Sequence, residues 1–335
     1  MAIELFRDSK VVGVMVAQAR KENVDTDVAK NAADMIRDLA ADPNPHNRYT
    51  IAQLIGYAVA ELMRPKTNWL DSVAEVKRVG FGEKAEFNAK QEGIRAFIQA
   101  KGATTARTKV ANKRFSPETL AVSARPVIHL IELVTGQAQM ADLISDAAYQ
   151  MELAQYGLIQ RVLHDAAAAW AAPYYATGAG VVKATLDPII RHWMRLSGGG
   201  APVILGDIEV IGKLSELTGF TAGTGLQQYA DALIMQHNAA GYIGKYNGAN
   251  VVNLVNPYVV HENKNLFDLN KLYVFPAGAS VADRPLKVVF EGGVLSQENT
   301  DINDKSFEVR LDQHFGAAVV YGDYPMVSVY EDSSI

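Results

Sequence analysis

Seven histidines stand at positions 46, 129, 164, 192, 237, 261 and 314, and no two are four residues apart. No helix face therefore offers a pair of imidazoles to a metal ion. His261-Glu262 begins like the H-E-x-x-H zinc motif, but Asn265 occupies the place of the second histidine. Asp301-x-Asn303-x-Lys305 begins like a calcium loop, yet it puts a cation at the third ligand position and no glycine follows. Gly198-Gly199-Gly200 lacks the lysine and the preceding strand of a phosphate loop, and Gly223-Thr224-Gly225 lacks the third glycine of a dinucleotide site. Both read as turns. Neither G-x-x-x-x-G-K-[ST] nor G-x-S-x-G occurs. The chain has no cysteine, which excludes disulfides, thiolate-bound zinc and thiol catalysis and fits a reducing cytoplasm. A triad gathered from distant positions leaves no local trace, and nothing here gives positive reason to build one. The sequence thus assigns no catalytic, cofactor-binding or metal-ligating residue. Trp170, Tyr174, Tyr175 and Trp193 could stack on bases, but no cations are interleaved with them, and they read as core.

Charge is the chemistry that is concentrated. Between Lys77 and Arg114 ten Lys/Arg face three Glu, a window of +7; the net charge of −5 leaves −12 on the rest. Such a basic segment complements an acidic surface on an identical neighbour, or else forms a solvated loop with no partner. The pI of about 5.8 argues against a dedicated nucleic-acid binder.

The elements that carry this segment are set by periodicity. Asp25 and Thr26 cap a helix through Met35, Ile36 and Leu39, ended by Asp42-Pro43-Asn44-Pro45. A second helix runs from about Thr50 to Met63, stopped by Pro65. Val79, Phe81, Ala85 and Phe87 share one parity, which predicts a strand; Glu92-Gly93 and Lys101-Gly102 predict turns, with extended pieces at Ile94–Ile98 and Lys109–Phe115. The stretch from about Asp71 to Pro117 is too poor in large apolar residues for its own core and reads as a long basic excursion. Leu120–Val134 reads as strand, with Pro126 at an edge or bulge.

From Gln137 to about Trp170 no proline interrupts a helix of roughly 50 Å. Met140, Ile144, Ala147, Met151, Ala154, Leu158, Val162 and Ala166 form its apolar stripe. Asp187-Pro188 predicts a short helix through Leu196, Pro202–Leu205 a strand, Asp207 the cap of a helix through Leu217 closed by Gly219, and Leu226–Met235 another helix. Strands are predicted at Tyr242–Tyr246, Asn250–Leu254, Lys271–Phe275, Leu286–Phe290, Phe307–Leu311, Ala317–Tyr321 and Met326–Tyr330.

Length and composition set the frame. With 335 residues, 49% hydrophobic and 21% charged, the chain suffices for one large or two moderate domains with real cores. The apolar run Val11–Ala17 is too short to span a bilayer, which takes roughly 20 residues. It is flanked by Glu4 and Asp8, unlike a signal peptide.

The order of these parts resembles the major capsid protein of tailed phages, an α+β chain with the Hong Kong 97-like capsid fold. Leu120–Val134 followed by the helix at Gln137–Trp170 resembles the strand that leaves the E-loop and enters the spine helix. Gly241 to Pro257 (GYIGKYNGANVVNLVNP) resembles the G-x-I-G-x-Y-x-G-x-x-V hairpin of the A domain, and Phe307–Leu311 with Ala317–Tyr321 looks like the last P-domain strands. The resemblance covers most of the chain from about residue 50. It implies an N-terminal arm and helices at 1–70, an E-loop at 71–118, a first P-domain part at 119–182 with the spine helix at 137–170, an A domain at 183–283, and a second P-domain part at 284–335.

The function so implied is self-assembly into hexamers and pentamers of an icosahedral shell enclosing a phage genome. The protein would be no enzyme, would take no cofactor, and would reside in the virion capsid after assembly in the host cytoplasm. Lys84, Lys90, Arg95, Lys101, Arg107 and Lys109 would make intersubunit contacts. Some relatives join an E-loop lysine to an asparagine; Lys84, Lys90, Lys101 and Lys109 lie in that segment, but nothing selects one, and no crosslink is expected. Implied partners are copies of the chain, decoration or cement and scaffolding proteins, a portal at one vertex, and double-stranded DNA contacted non-specifically, with no membrane. Other relatives carry a cleaved N-terminal scaffolding domain; the start at Met1 leaves little room for one, so a separate scaffolding protein or none is expected. Three alternatives stand beside this reading: an encapsulin-like nanocompartment, an α/β enzyme with a dispersed site, and a DNA binder using residues 77–114, whose binding would fall steeply with salt.

Overall fold

One long helix lies across the faces of a helical N-terminal layer and a five-stranded sheet, and a second sheet carries the remaining core. The computed structural model describes residues 10–42, 44–63, 70–92, 111–135, 140–217, 239–259, 263–276, 283–300, 306–320 and 325–335. No helix among the described residues is long and apolar enough to cross a membrane.

The N-terminal layer holds α1 (Lys10–Ala19), α2 (Thr26–Ala41) and α3 (Pro45–Leu62). The apolar run near the start becomes α1, which buries Val14, Met15 and Val16. Asp25 caps α2 by accepting from Asp27 N at 2.9 Å. Asn44 caps α3 by accepting from His46 N at 3.0 Å. The second helix thus starts five residues before the expected Thr50. Pro45 stands at its first position, where a missing N–H costs nothing, so the residue read as a terminator is an initiator.

The short α4 (Leu70–Val73) leads into β1 (Ala74–Val79). The parity run through Phe87 is two strands rather than one, because Phe81-Gly82 turns the chain and β2 (Phe87–Glu92) begins afterwards. β3 (Ala111–Phe115) pairs with β2 in antiparallel fashion, Phe87 opposite Phe115. The expected turn at Lys101-Gly102 and piece at Ile94–Ile98 lie outside the described residues. Leu120–Val134 is β4 (Leu120–Ala124) and β5 (Val127–His129), broken at Arg125-Pro126, followed by the short α5 (Leu130–Thr135) where strand was expected.

The long helix, α6, runs over Met140–Ala168, 29 residues or about 43 Å. Its expected stripe is buried at Met140, Ile144, Ala147, Met151 and Ala166 and half-buried at Leu158 and Val162, but Ala154 is exposed, and Leu153, Tyr156, Ile159 and Leu163 are buried outside it. The first half packs with the N-terminal helices and the second with the two sheets, so the buried face turns along the helix. A buried pair, Gln155 Nε2 donating to Gln313 Oε1 at 2.8 Å, ties the turning point to the sheet.

Two long strands near the C-terminus, β13 (Leu286–Thr300) and β14 (Ser306–Val319), complete that sheet. Its order is β1–β13–β14–β4, with β5 also on β14. β1 runs parallel to β13 and the other pairs are antiparallel. Phe307–Leu311 and the start of Ala317–Tyr321, expected as two strands, are parts of the single β14; Val320 lies past its end and Tyr321 outside the described residues. The β13–β14 register shifts between Glu291 and Leu295, a bulge at Gly292-Gly293 with Gly292 at φ +70°.

The second sheet is built from β6 (Tyr175–Gly178), β7 (Val203–Gly206), β8 (Lys245–Tyr246), β9 (Ala249–Asn253), β12 (Lys271–Phe275) and β15 (Ser328–Asp332). Its order is β6–β15–β12–β7–β9–β8. A hairpin of β10 (Tyr258–Val259) and β11 (Lys264–Asn265) stands apart from it. Helices α7 (Lys183–Leu196) and α8 (Ile208–Leu217) share its core. Asp207 caps α8 as expected, accepting from Glu209 N at 2.9 Å. Pro188, expected to open α7, lies inside it. Burying Leu186, Ile189, Ile190 and Trp193 on one face rewards a turn upstream of the proline. Gly198 and Gly199, both at positive φ, end that helix as turn residues. The expected helix at Leu226–Met235 lies outside the described residues.

Candidate intersubunit surface

The basic excursion is rooted on the five-stranded sheet between the end of β1 and the start of β4. Its apolar root is small: Ala85, Phe87 and Val289 are buried together, with Val79 and Phe115 against them. Phe87 and Phe115 rings lie 6.0 Å apart across the β2–β3 pair.

Charge completes the root. Lys287 points inward from β13 and is fully buried; its Nζ lies 2.6 Å from Glu75 Oε2 on β1. Lys77 Nζ stands 3.5 Å from the other Glu75 oxygen and donates to Glu86 O at 2.6 Å. Both ammonium groups face the Phe87 ring, Lys77 at 4.5 Å and Lys287 at 5.7 Å from its centroid. Arg78 lies 5.0 Å over the Phe290 ring, and Arg114 sits 3.4 Å from Glu86. Several charges counted in the +7 window are therefore engaged within the chain. Sequence reasoning missed Lys287, whose only signal is a lysine inside the apolar run Leu286–Phe290.

Of the six expected contact residues, two lie within the described structure. Lys84 is exposed between β1 and β2, and Lys90 lies on β2 opposite Asn112. Arg95, Lys101, Arg107 and Lys109 lie outside the described residues. So do His261-Glu262, Asp301 to Lys305 and Gly223 to Gly225. Among the described residues no group of three His, Asp or Glu could hold a metal ion. Trp193 and Tyr174 are core, Trp193 Nε1 donating to Ser328 Oγ at 2.8 Å, while Trp170 is partly open at the end of α6.

Near the root and along the sheet edge stand exposed apolar side chains: Phe81 is 64% exposed, and Leu120, Val127 and Ile131 lie on or after the edge strands β4 and β5. An open groove of about 760 Å³ runs between β4, α6 and the β10–β11 hairpin. Leu120, Ala121, Val122 and Ser123 line it consecutively, so it meets the edge of the strand rather than one face.

A long helix on a five-stranded sheet, a second sheet with its own core, and a hairpin set apart on a charged root define the Hong Kong 97-like capsid fold of tailed phages. The mature capsid of bacteriophage PhiM1 is similar at 13% identity over 81% of this chain and 89% of that one, with a TM-score of 0.51. A structure from Mycobacterium phage Che8 is similar at 16% identity over 76% and 86%, TM-score 0.50, and the capsid of a native GTA particle at 11% over 80% and 92%, TM-score 0.50. At these identities the likeness is one of fold. No curated protein matches the chain. A sequence model of the family described as "SPbeta prophage-derived putative capsid protein YonB" matches residues 4–329, and the chain belongs to that family.

Proposed function

We propose that this chain is a major capsid subunit that assembles into the hexamers and pentamers of an icosahedral shell around a phage genome. The observation that carries the reading is the excursion. Its β2–β3 pair joins neither main sheet and is basic on a chain that is otherwise acidic. Such an element finds its complement on a second copy. Family membership over residues 4–329 supports the same role, which is structural and located in the virion capsid.

The finer assignment extends this reading. Residues 71–118 act as the E-loop, 119–182 and 284–335 as the P domain, 183–283 as the A domain, and 1–70 as the N-terminal arm and helices. Lys84, Lys90, Arg95, Lys101, Arg107 and Lys109 meet acidic surface on the neighbouring subunit. Assembly proceeds in the host cytoplasm, with a portal at one vertex, scaffolding and decoration proteins as further partners, and DNA held without sequence preference. The subunit performs no catalysis.

Negative-stain electron microscopy with light scattering on the purified protein tests the reading. Closed shells, or rings of five and six that assemble as salt and pH change, are expected. A uniform dimer or tetramer that never assembles, even with scaffolding protein supplied, would overturn it. Shells recovered from cells with protein cargo and no DNA would point to a nanocompartment instead.

A further inference from the structure

The root of the excursion has two legs, and neither belongs to a strand. Residues 80–86 join β1 to β2, and residues 116–119 join β3 to β4. Between them the β2–β3 pair is held by a small apolar cluster and by the charged groups around Phe87. A body attached through two short non-ladder legs is free to pivot unless the legs are fixed to the sheet beneath.

One carboxylate fixes both. Glu291 is the last residue of β13 paired with β1, opposite Val79, and the last before the β13–β14 bulge, opposite His314. Its Oε1 accepts from Gly82 N on the first leg at 2.9 Å, and its Oε2 accepts from Thr119 Oγ1 on the second at 2.7 Å. His314 Nδ1 stands 3.8 Å from Oε2. The Thr119 hydroxyl, the Gly82 N–H and His314 hold the Glu291 carboxyl below its usual range against the opposing effect of burial, so the acceptor is ionised at neutral pH.

The surroundings bring both legs close. Gly292, at φ +70°, turns the chain beneath Phe81, whose ring lies 5.2 Å from His314. Gly316 on β14 lets the second leg approach, since a Cβ there would stand 2.7 Å from Glu118 O. The first leg closes its own turn, Gly80 N donating to Glu83 Oε2 at 2.9 Å, and so moves as a unit.

We propose that Glu291 is the positioning residue that sets the angle at which the excursion between β1 and β4 leaves the sheet. It latches both legs with one carboxylate. The latch is a property of the folded chain; its consequence, a fixed direction for the segment that contacts a neighbour, rests on the shell-subunit reading above. A bulge at this place in β13 meets the same requirement, because it aims Glu291 at the two legs while the strand continues beyond.

Hydrogen–deuterium exchange on full-length Glu291→Gln, Thr119→Ala and Thr119→Ser tests the latch directly. In Glu291→Gln, peptides covering 80–92 and 111–119 should exchange about tenfold faster, the loss of one to two charge-assisted hydrogen bonds. Peptides in β12 and β15 should be unchanged. Thr119→Ala should free the second leg, and Thr119→Ser, which keeps the hydroxyl, should restore it. Particles assembled from Glu291→Gln should vary in diameter by electron microscopy where wild-type particles are uniform. Unchanged exchange at both legs in Glu291→Gln and Thr119→Ala would overturn the latch. Faster exchange across both sheets alike would also overturn it, marking Glu291 as a residue of global stability. If the wild-type chain never assembles, the shell reading falls while the exchange result still decides the latch.

Discussion

Two buried charges show how single residues act here. Lys287 reaches the interior only because Glu75 meets it at 2.6 Å and the Phe87 ring faces the ammonium group. Lys287→Ala leaves the mostly buried Glu75 carboxylate without that cation, and a cost of about 3 kcal/mol is expected by urea unfolding. Replacing both partners by apolar residues, Lys287→Met with Glu75→Leu, should recover most of it, since the desolvation of the charges is then removed as well. Asp332, fully buried near the end of the chain, is the second case. Burial pushes its carboxyl up, but the Lys213 ammonium, Ser334 Oγ and N, and Gly180 N together outweigh it and hold the pKa at about 2. Because the folded pKa lies below the unfolded one, this stabilisation is complete above about pH 4 and disappears as pH falls towards 2. Asp332→Asn should therefore lose about 2 kcal/mol at neutral pH. The gap between mutant and wild-type stability should close in that acid window.

At the scale of elements, α6 decides how the layers meet. Its buried face turns between Met151 and Leu163, so a stripe drawn along one row of the helix picks the exposed Ala154 and misses Tyr156, Ile159 and Leu163 before it meets the buried face again at Ala166. Ile159, absent from that stripe, is 1% exposed in the core shared by both sheets, whereas Ala154, within it, faces solvent. Ile159→Ala should cost about 3 kcal/mol in thermal or denaturant unfolding, and Ala154→Ser less than about 0.5 kcal/mol. The reverse ranking would place the helix in the wrong rotation. Strand extents show the same dependence on context. β13 was legible only as Leu286–Phe290, because its distal half carries polar residues on a partly open face, and it persists to Thr300 through pairing with β14.

For the whole molecule, the proposed role of the excursion predicts that folding and assembly can be separated. Replacing residues 93–110 by a short Gly-Ser turn keeps β2 and β3 and every described residue of the three main cores. Circular dichroism and the unfolding midpoint should stay near wild type, while the assembled fraction in light scattering should drop roughly tenfold or more, the equivalent of about 1.4 kcal/mol of association energy. Normal assembly of this deletion would assign the subunit contacts to other surfaces, and loss of folding would show the segment to be part of the core.

The sequence alone determined the features that local rules and composition control. Asp25 and Asp207 mark helix starts because a short side-chain oxygen reaches a free N–H. Lys271–Phe275 is a strand because its β-branched and aromatic residues suit a sheet buried on both faces. The absence of catalytic motifs and the basic window were also plain in the residues. Only the tertiary structure decided how distant segments pair: β1 beside β13 across two hundred residues, Lys287 against Glu75, Asp332 against Lys213, and one Glu291 between two legs of the excursion. Those contacts join residues with no periodic relation, and the loop closure that brings them together is repaid by burial across the whole fold.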